Sequence, residues 1–430
     1  MEKNNPKVTR AWCMYDWANS VFSLTITTAI FPDYFMAMTE NPANGNMVSF
    51  LGLDIVNSAL FSYAVSFSFL VAAFISPFLS SIADYSGRKK AFMRSFCYLG
   101  AAACALLYFF TEETVVFSTL MFVLAGIGYS GSIVFYNSFL PEIVSEDMAD
   151  KVSARGFSYG YIGSVILLIF NLLMIMKPEW FGGITKTQAV QISFLSVGIW
   201  WFAFAQYSFY YLPSNVYKRK GSGNWLFNGW AELKKVWQEL SVQVKLKGFL
   251  LAFFFYNMGV QTVMYISPIF AKEVVKLETE SLIGIILLIQ LIAIPGSMFF
   301  AWLSGKYGNI KGLMYAVSVW VFVCIGAYYI RGAADFYVLA VVVGFVMGGV
   351  QSLSRSTYSK LIPKDSKDHA SYFSFYDVVE KVAISLGSFL FAMVRVLTGE
   401  MRLSIIFLGV FFVIGLYFLF KTKNMKTLPA

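Results

Sequence analysis

Apolar positions in this chain neither alternate nor recur at the three- and four-residue steps of a surface helix; they run on without a break. Twelve mostly apolar stretches of roughly 18 to 28 residues, long enough for the hydrocarbon layer of a bilayer, occupy 12–37, 55–82, 92–111, 115–138, 154–176, 188–211, 248–271, 281–303, 312–330, 335–358, 370–394 and 403–420. The pattern predicts an all-α polytopic membrane protein with twelve transmembrane helices and no soluble domain. One long polar interval, 213–247, separates a first half (1–212) from a second (248–430). It opens on the basic, glycine-bearing KRKGSGN (218–224). Trp230, Leu233, Trp237, Leu240 and Val244 then recur at helical spacing, with Lys234 and Lys235 off that face. Such a helix is expected to lie in the inner interface, aromatic face in the acyl boundary and lysines toward lipid headgroups, tethering the two halves.

The halves repeat each other. ADYSGRKK (83–90) and YNSFLPEI (136–143) return as SGKYGNIK (304–311) and YSKLIPKD (358–365), so that Gly87 falls on Gly308, Lys90 on Lys311, Tyr136 on Tyr358 and Pro141 on Pro363. YDWANS (15–20) parallels YNMGVQ (256–261), with Asp16 replaced by Asn257. Two pseudo-symmetric six-helix halves are the architecture of many secondary transporters, whose substrate site lies between the repeats.

Composition and charge narrow the class further. Hydrophobic residues make up 58% and charged residues 13%, more apolar surface than a soluble core can hide. The net charge of +9 does not point to nucleic acid. Seven of the 33 Lys and Arg fall in the outer loops and Lys381 lies inside a span, leaving the great majority toward the inner side. By the positive-inside rule both termini are cytoplasmic and the chain is a multi-pass protein of the plasma (inner) membrane. The first run carries Asp16, Asn19 and Pro32 and is expected to remain as a span. Cys13, Cys97, Cys104 and Cys324 show no paired spacing, so neither a disulfide framework nor a metal site is expected. The single histidine, His369, is placed in an inner loop, and no HExxH or nucleophile motif occurs. We therefore expect no enzyme, no cofactor and a monomer among membrane lipids.

Polar groups inside spans are costly and mark cavities or partners. In the first span Asp16, Asn19, Ser20, Ser23 and Thr27 form one stripe; Asn257, Gln261 and Tyr265 form its counterpart in the seventh. Tyr129 in the fourth span, Gln351 and Arg355 in the tenth, and Asp377 and Lys381 in the eleventh add further polar positions. Asp377 and Lys381, four apart, can pair along one helix. Glu380 is without that partner, about 15 Å deep at 1.5 Å per residue. Ionisation there works against desolvation, the physical basis for assigning proton coupling to Glu380 and Asp377; the alternative is a cluster that only fastens helices. Asp16, Asn19, Ser23, Tyr129, Asn257, Gln261, Tyr265, Gln351, Arg355 and Lys381 are the expected substrate-binding set. In ADYSGRKK, Gly87 permits a tight turn, Asp84 can accept from orphan amides at a neighbouring helix N-terminus, and Arg88 stays at the inner surface, so that Asp84, Gly87 and Arg88 form a conformational latch. Gly156, Gly160 and Gly163 read as close-packing residues.

The DYSGRKK loop with its weaker copy at 305–311 resembles the loop signature of the major facilitator superfamily, with Ser80 where that signature usually has glycine. YDWANSVF, YNSFLPEI, SARGFSYGYIGS (153–164), FYNMGVQTV (255–263) and GGVQSLSRSTYSKLIP (348–363) together resemble its autophagy-related vacuolar effluxer-like branch, also called "unknown major facilitator". The resemblance covers about residues 10–420. It implies the major facilitator fold, a rocker exposing a central cavity to either side in turn, and efflux of amino acids by analogy with fungal relatives. Arg355 and Lys381 match positions of the family pattern, whereas Glu380 stands where similar sequences tend to have a small residue.

The expected function is secondary active transport of a small polar solute, an amino acid or related metabolite, with efflux favoured and protons as the coupling ion. Import of peptides or cell-wall fragments, drug export, and a transport-dead solute receptor on the same fold are the alternatives. The mixed charges Arg355, Asp377, Glu380 and Lys381 favour a zwitterionic or anionic solute over a lipophilic cation.

Overall fold

The computed structural model describes residues 2–40, 45–219 and 225–425. Residues 220–224, most of the KRKGSGN stretch, lie outside the described residues. Among the described residues, twelve helices are long and apolar enough to cross a membrane: Pro6–Thr39, Asn57–Ser86, Lys89–Phe109, Glu112–Ile143, Glu146–Met176 and Lys186–Tyr211, then Val244–Val275, Ser281–Tyr307, Asn309–Tyr329, Ala333–Leu361, His369–Thr398 and Met401–Asn424. They are numbered here as spans 1 to 12. Most run past the apolar stretches, and at the starts of spans 1 and 6 polar side chains cap the first turn. Asn5 accepts from the amides of Lys7 and Val8 ahead of Pro6, and Thr185 and Gln188 cap each other at the start of span 6.

Two features depart from a bundle of simple helices. Span 1 is π-helical over Phe22–Ile30, where the Thr28 hydroxyl donates to the carbonyl of Ser23, 2.9 Å away. This wider winding shifts the polar stripe above Ser20 away from the register of Asp16 and Asn19. Between spans 1 and 2, strands β1 (Met47–Phe50) and β2 (Leu53–Val56) form an antiparallel hairpin, Met47 opposite Val56 and Phe50 opposite Leu53. We call the end bearing it the hairpin face, and the end bearing the linker helix the linker face.

The apolar core falls into two clusters, one built mainly from spans 1 to 6 and the other from spans 7 to 12. Close packing needs glycine at the crossings: a Cβ on Gly128 would sit 2.5 Å from the backbone of Gly100, and one on Gly344 would sit 2.6 Å from the carbonyl oxygen of Ile289. Spans 8 and 10 are thereby locked together, as are spans 3 and 4.

The linker carries a helix, Trp225–Val242, which makes contacts with both halves that its expected lipid face did not supply. Two apolar strips share this helix. Gly229, Val236 and Leu240 are buried, with Gly229 against Ile82 of span 2, while Trp230 and Trp237 of the expected lipid face are exposed. Lys235 does not point only to headgroups: it pairs with Asp368 at 3.2 Å, as does Arg219 at 2.6 Å. Glu239 accepts from the hydroxyl of Tyr372 in span 11. Burial opposes the charge on Asp368, but a hydrogen bond from Glu232 and the two cations hold it below the ordinary carboxylate range. The linker helix thus straddles span 2 of one half and span 11 of the other.

Candidate functional site

The polar residues of the spans collect in two layers between the halves. The lower layer centres on Arg355 of span 10, whose partners all belong to the first half. Its Nη1 donates to Asp16 Oδ2 at 3.1 Å and to Asn137 Oδ1 at 3.4 Å. Its Nε donates to the Ser153 hydroxyl and its Nη2 to the Ser153 carbonyl, at 3.0 and 2.8 Å. The guanidinium also stacks against Trp12 and Phe157, 4.6 and 4.1 Å from the ring centres. Tyr136 donates its hydroxyl to the same Asp16 oxygen at 2.6 Å. Asp16, Asn19, Asn257 and Arg355 are all buried, so in this conformation the lower layer is sealed. Trp12 packs in this layer, whereas Trp17 turns away to Trp200 and Phe204.

Glycine makes the layer possible. A Cβ on Gly156 would lie 2.5 Å from Asp16 Oδ2 and 2.9 Å from Arg355 Nη2. Gly156→Ala is therefore expected to force the pair apart and to lower stability by about 1–3 kcal/mol, read as a drop in the melting temperature of the purified protein.

The upper layer lies at mid-depth and is partly accessible. Gln351 accepts from the hydroxyl of Tyr161 at 2.6 Å. Lys381 lies 3.5 Å from Asp377 and 4.9 Å from the ring centre of Phe69 on span 2. Glu380 accepts from the amide of Gln261 at 3.2 Å, a partner that the spacing along span 11 alone did not supply. Tyr129 points at Ser23 and sits in the field of Lys381. Both carboxylate oxygens of Asp377 and the side-chain amides of Asn19 and Asn257 are buried without a hydrogen-bond partner among the described residues. Buried polar atoms of this kind are rare and mark function or bound water. Along span 1 the exposure rises from buried Asp16 and Asn19 to half-buried Ser20, Ser23 and Thr27 and exposed Thr28. Along span 7 it rises from buried Asn257 to half-buried Gln261 and exposed Tyr265. Both stripes are therefore closed toward the linker face and open toward the hairpin face. The ten residues expected to share one substrate site divide between the sealed layer (Asp16, Asn19, Asn257, Arg355) and the upper one, where Ser23, Tyr129, Gln261 and Gln351 are half-buried, Tyr265 is exposed and Lys381 is buried beside Asp377.

The linker face itself is shut by a third set of contacts. Asp84 accepts from the amides of Ala370 and Ser371, at 3.3 and 2.8 Å, and from the Ser371 hydroxyl at 2.9 Å. Gly87 ends span 2 with φ +68°, a conformation glycine adopts without strain, and packs on Asn215. Arg88 is exposed; its neighbour Lys89 takes the buried position, paired with Glu142, which also meets His369 at 3.3 Å. His369 is thus the first residue of span 11 and part of the closure, not a loop residue. On the pseudo-symmetric side the turn between spans 8 and 9 presents the Ser304 hydroxyl and the Asn309 amide, both 2.7 Å from Asp150 oxygens, joined there by Lys360 at 2.7 Å. Among the described residues, each cross-half pair of a carboxylate with a Lys or Arg takes its acid from the first half and its base from the second: Asp16 with Arg355, Asp150 with Lys360, Glu146 with Lys364. Asn137, Ser153, Tyr161, Lys89, Glu142 and Asp150 escaped the reading of single helices. The requirement that a buried Arg355 find acceptors is the signal that points to most of the lower-layer partners.

Two six-helix halves closed around a central polar seam are the major facilitator fold. The chain superposes on the transporter FucP in its outward conformation with a TM-score of 0.70 at 13% identity, covering 98% of this chain and 99% of that one. It superposes on the proton:xylose symporter XylE with a TM-score of 0.69 at 15% identity, covering 97% and 94%. Residues 4–428 match the model of the vacuole effluxer Atg22-like family, and the chain belongs to that family. An uncharacterized MFS-type transporter, YxiO of Bacillus subtilis, is 32% identical over 97% of this chain and 95% of its own length. Autophagy-related protein 22-2 of Aspergillus niger is 22% identical over 86% and 76%. The protein is accordingly a multi-pass membrane transporter of the MFS type.

Proposed function

We propose that this transporter moves a small zwitterionic or anionic polar solute, an amino acid or related metabolite, by alternating access, with export favoured. The carrying observation is the split of the polar seam. One layer is locked by Arg355 and Asp16. The other sets half-buried Glu380 and Gln261 and exposed Tyr265 around the buried Lys381–Asp377 pair and opens toward one side only. An ammonium and two carboxyl groups at mid-depth offer both signs of charge to a zwitterion, and Tyr129, Ser23 and Gln351 offer neutral hydrogen bonds beside them. With the linker face cytoplasmic, as the distribution of Lys and Arg argues, the conformation is outward-open, and the family's description as vacuole effluxers supports export. Glu380 and Asp377 are the candidates for proton coupling, and Asp84 and Gly87, with Lys89 in place of Arg88, for the latch.

The test is a thermal-shift screen in detergent against amino acids, short peptides, sugars, cell-wall fragments and lipophilic cations, since a ligand of the folded state raises its apparent stability. A rise with one zwitterionic class, lost in Lys381→Ala, followed by flux of that solute in vesicles, is expected. Shifts with lipophilic cations alone would replace this reading with drug export. Binding without flux would replace it with a solute receptor.

A further inference from the structure

A groove of about 570 Å³ lies away from the polar seam, on the outer side of spans 8, 9 and 10. Its walls are Phe299, Leu303 and Tyr307 of span 8, Tyr315 and Val319 of span 9, and Phe345 of span 10, with only two tyrosine hydroxyls among polar side chains. Phe299, Tyr307 and Tyr315 are exposed, so the groove opens sideways to whatever surrounds the spans. From Tyr307 to Phe299 it descends eight residues, about 12 Å along the helix. That is close to half of the hydrocarbon thickness of about 30 Å, so the groove occupies the linker-face leaflet and ends near mid-depth.

Its mouth is basic. Lys306 lies in the last turn of span 8, with its Nζ 5.3 Å from the ring centre of Tyr307 and 5.8 Å from that of Trp302. Lys311, one turn before Tyr315 on the same side of span 9, is exposed. Neither lysine has a carboxylate partner among the described residues. An apolar channel one leaflet deep beneath two unpaired ammonium groups matches one chemistry: an acyl chain below a phosphate.

We propose that this groove is a binding site for an anionic glycerophospholipid of the linker-face leaflet, with one acyl chain between Phe299, Phe345 and Val319 and the phosphate between Lys306 and Lys311. The two lysines flank the turn whose Ser304 and Asn309 hold Asp150 of the opposite half. A bound headgroup therefore braces spans 8 and 9 where they latch the linker face shut, and ties the closed state to the charge of that leaflet.

The test is native mass spectrometry of the detergent-purified transporter titrated with phosphatidylglycerol or phosphatidylcholine, with melting temperatures measured in parallel. Wild-type protein is expected to retain one phosphatidylglycerol at least fivefold more strongly than phosphatidylcholine and to melt at a higher temperature when it is present. Lys306→Gln with Lys311→Gln should erase the preference while leaving weak binding of both lipids. Val341→Trp, which fills the groove from an exposed wall position, should reduce retention of both. Melting of each variant without lipid separates loss of the site from loss of the fold. Undiminished phosphatidylglycerol preference in the double lysine variant, or undiminished retention in a folded Val341→Trp, would overturn the site.

Discussion

Arg355→Ala is expected to abolish flux and to loosen the linker face. The guanidinium is the one cation in the sealed layer. Its Asp16, Asn137 and Ser153 partners lie across the seam, so its loss breaks several cross-half contacts at one stroke. It also strands Asp16 as a buried carboxylate with Tyr136 as its remaining partner. Removing one member of a buried pair costs about 3–5 kcal/mol because the other charge stays desolvated. The cost falls on the closed linker face, where the pair is made, and an opened seam would rehydrate Asp16. The equilibrium should therefore shift away from the conformation described here. Hydrogen exchange reads this directly: the amides of Ala370 and Ser371, held by Asp84, should exchange faster in Arg355→Ala. The double variant Asp16→Asn with Arg355→Gln leaves no stranded charge and should recover much of the lost stability without restoring flux. Wild-type flux together with wild-type exchange in Arg355→Ala would remove the pair from the gate.

The division of the polar residues into two layers explains what could and could not be read in advance. The twelve spans, the break between halves and the positions of Asp16, Arg355, Asp377, Glu380 and Lys381 within spans follow from hydropathy, because a bilayer imposes one length scale on every helix. The i,i+4 relation of Asp377 and Lys381 was equally legible, being local. Which polar residues touch across the seam was not, since helical periodicity gives a face but no partner. The stripe in span 1 looked continuous from Asp16 to Thr27, yet the π-helical stretch changes its register, and the closed linker face buries its lower part. Arg88 and Lys89 are adjacent, identical in charge and indistinguishable by pattern; only the turn at Gly87 decides which one faces Glu142. The linker helix shows the same limit: its strips at Gly229–Val236–Leu240 and Trp230–Trp237 are both apolar, and contact with Ile82 selects the buried one. The repeat, by contrast, carried more than fold. Its two loops, one at Asp84 and one at Ser304 and Asn309, each hold a carboxylate of the first half, on Asp84 itself and on Asp150. The symmetry of the closure therefore lies in the loops, while its charge is polarised across the seam.

That polarity bears on the second large effect, expected at Lys381 and Glu380. Lys381→Ala should remove solute binding and flux together. The ammonium is the upper layer's cation, buried 3.5 Å from Asp377, whose oxygens have no hydrogen bond to fall back on. Glu380→Gln should act differently. Gln261 can still meet the new amide, through its carbonyl or by an amide flip, so the layer keeps its shape and solute binding is expected to survive. What is lost is a carboxyl able to gain and release a proton from the hairpin-face opening. In proteoliposomes, Glu380→Gln should therefore support counterflow of solute at near wild-type rate but lose accumulation driven by a pH gradient. The contrast matters because a cluster that merely fastened spans 7 and 11 would behave otherwise: Glu380→Gln would then lower the melting temperature and slow both modes alike. Gradient-driven accumulation unchanged in Glu380→Gln would assign coupling elsewhere, with Asp377 the remaining carboxyl of that layer. Its conservative replacement, Asp377→Asn, should then show the split between counterflow and accumulation that Glu380→Gln did not.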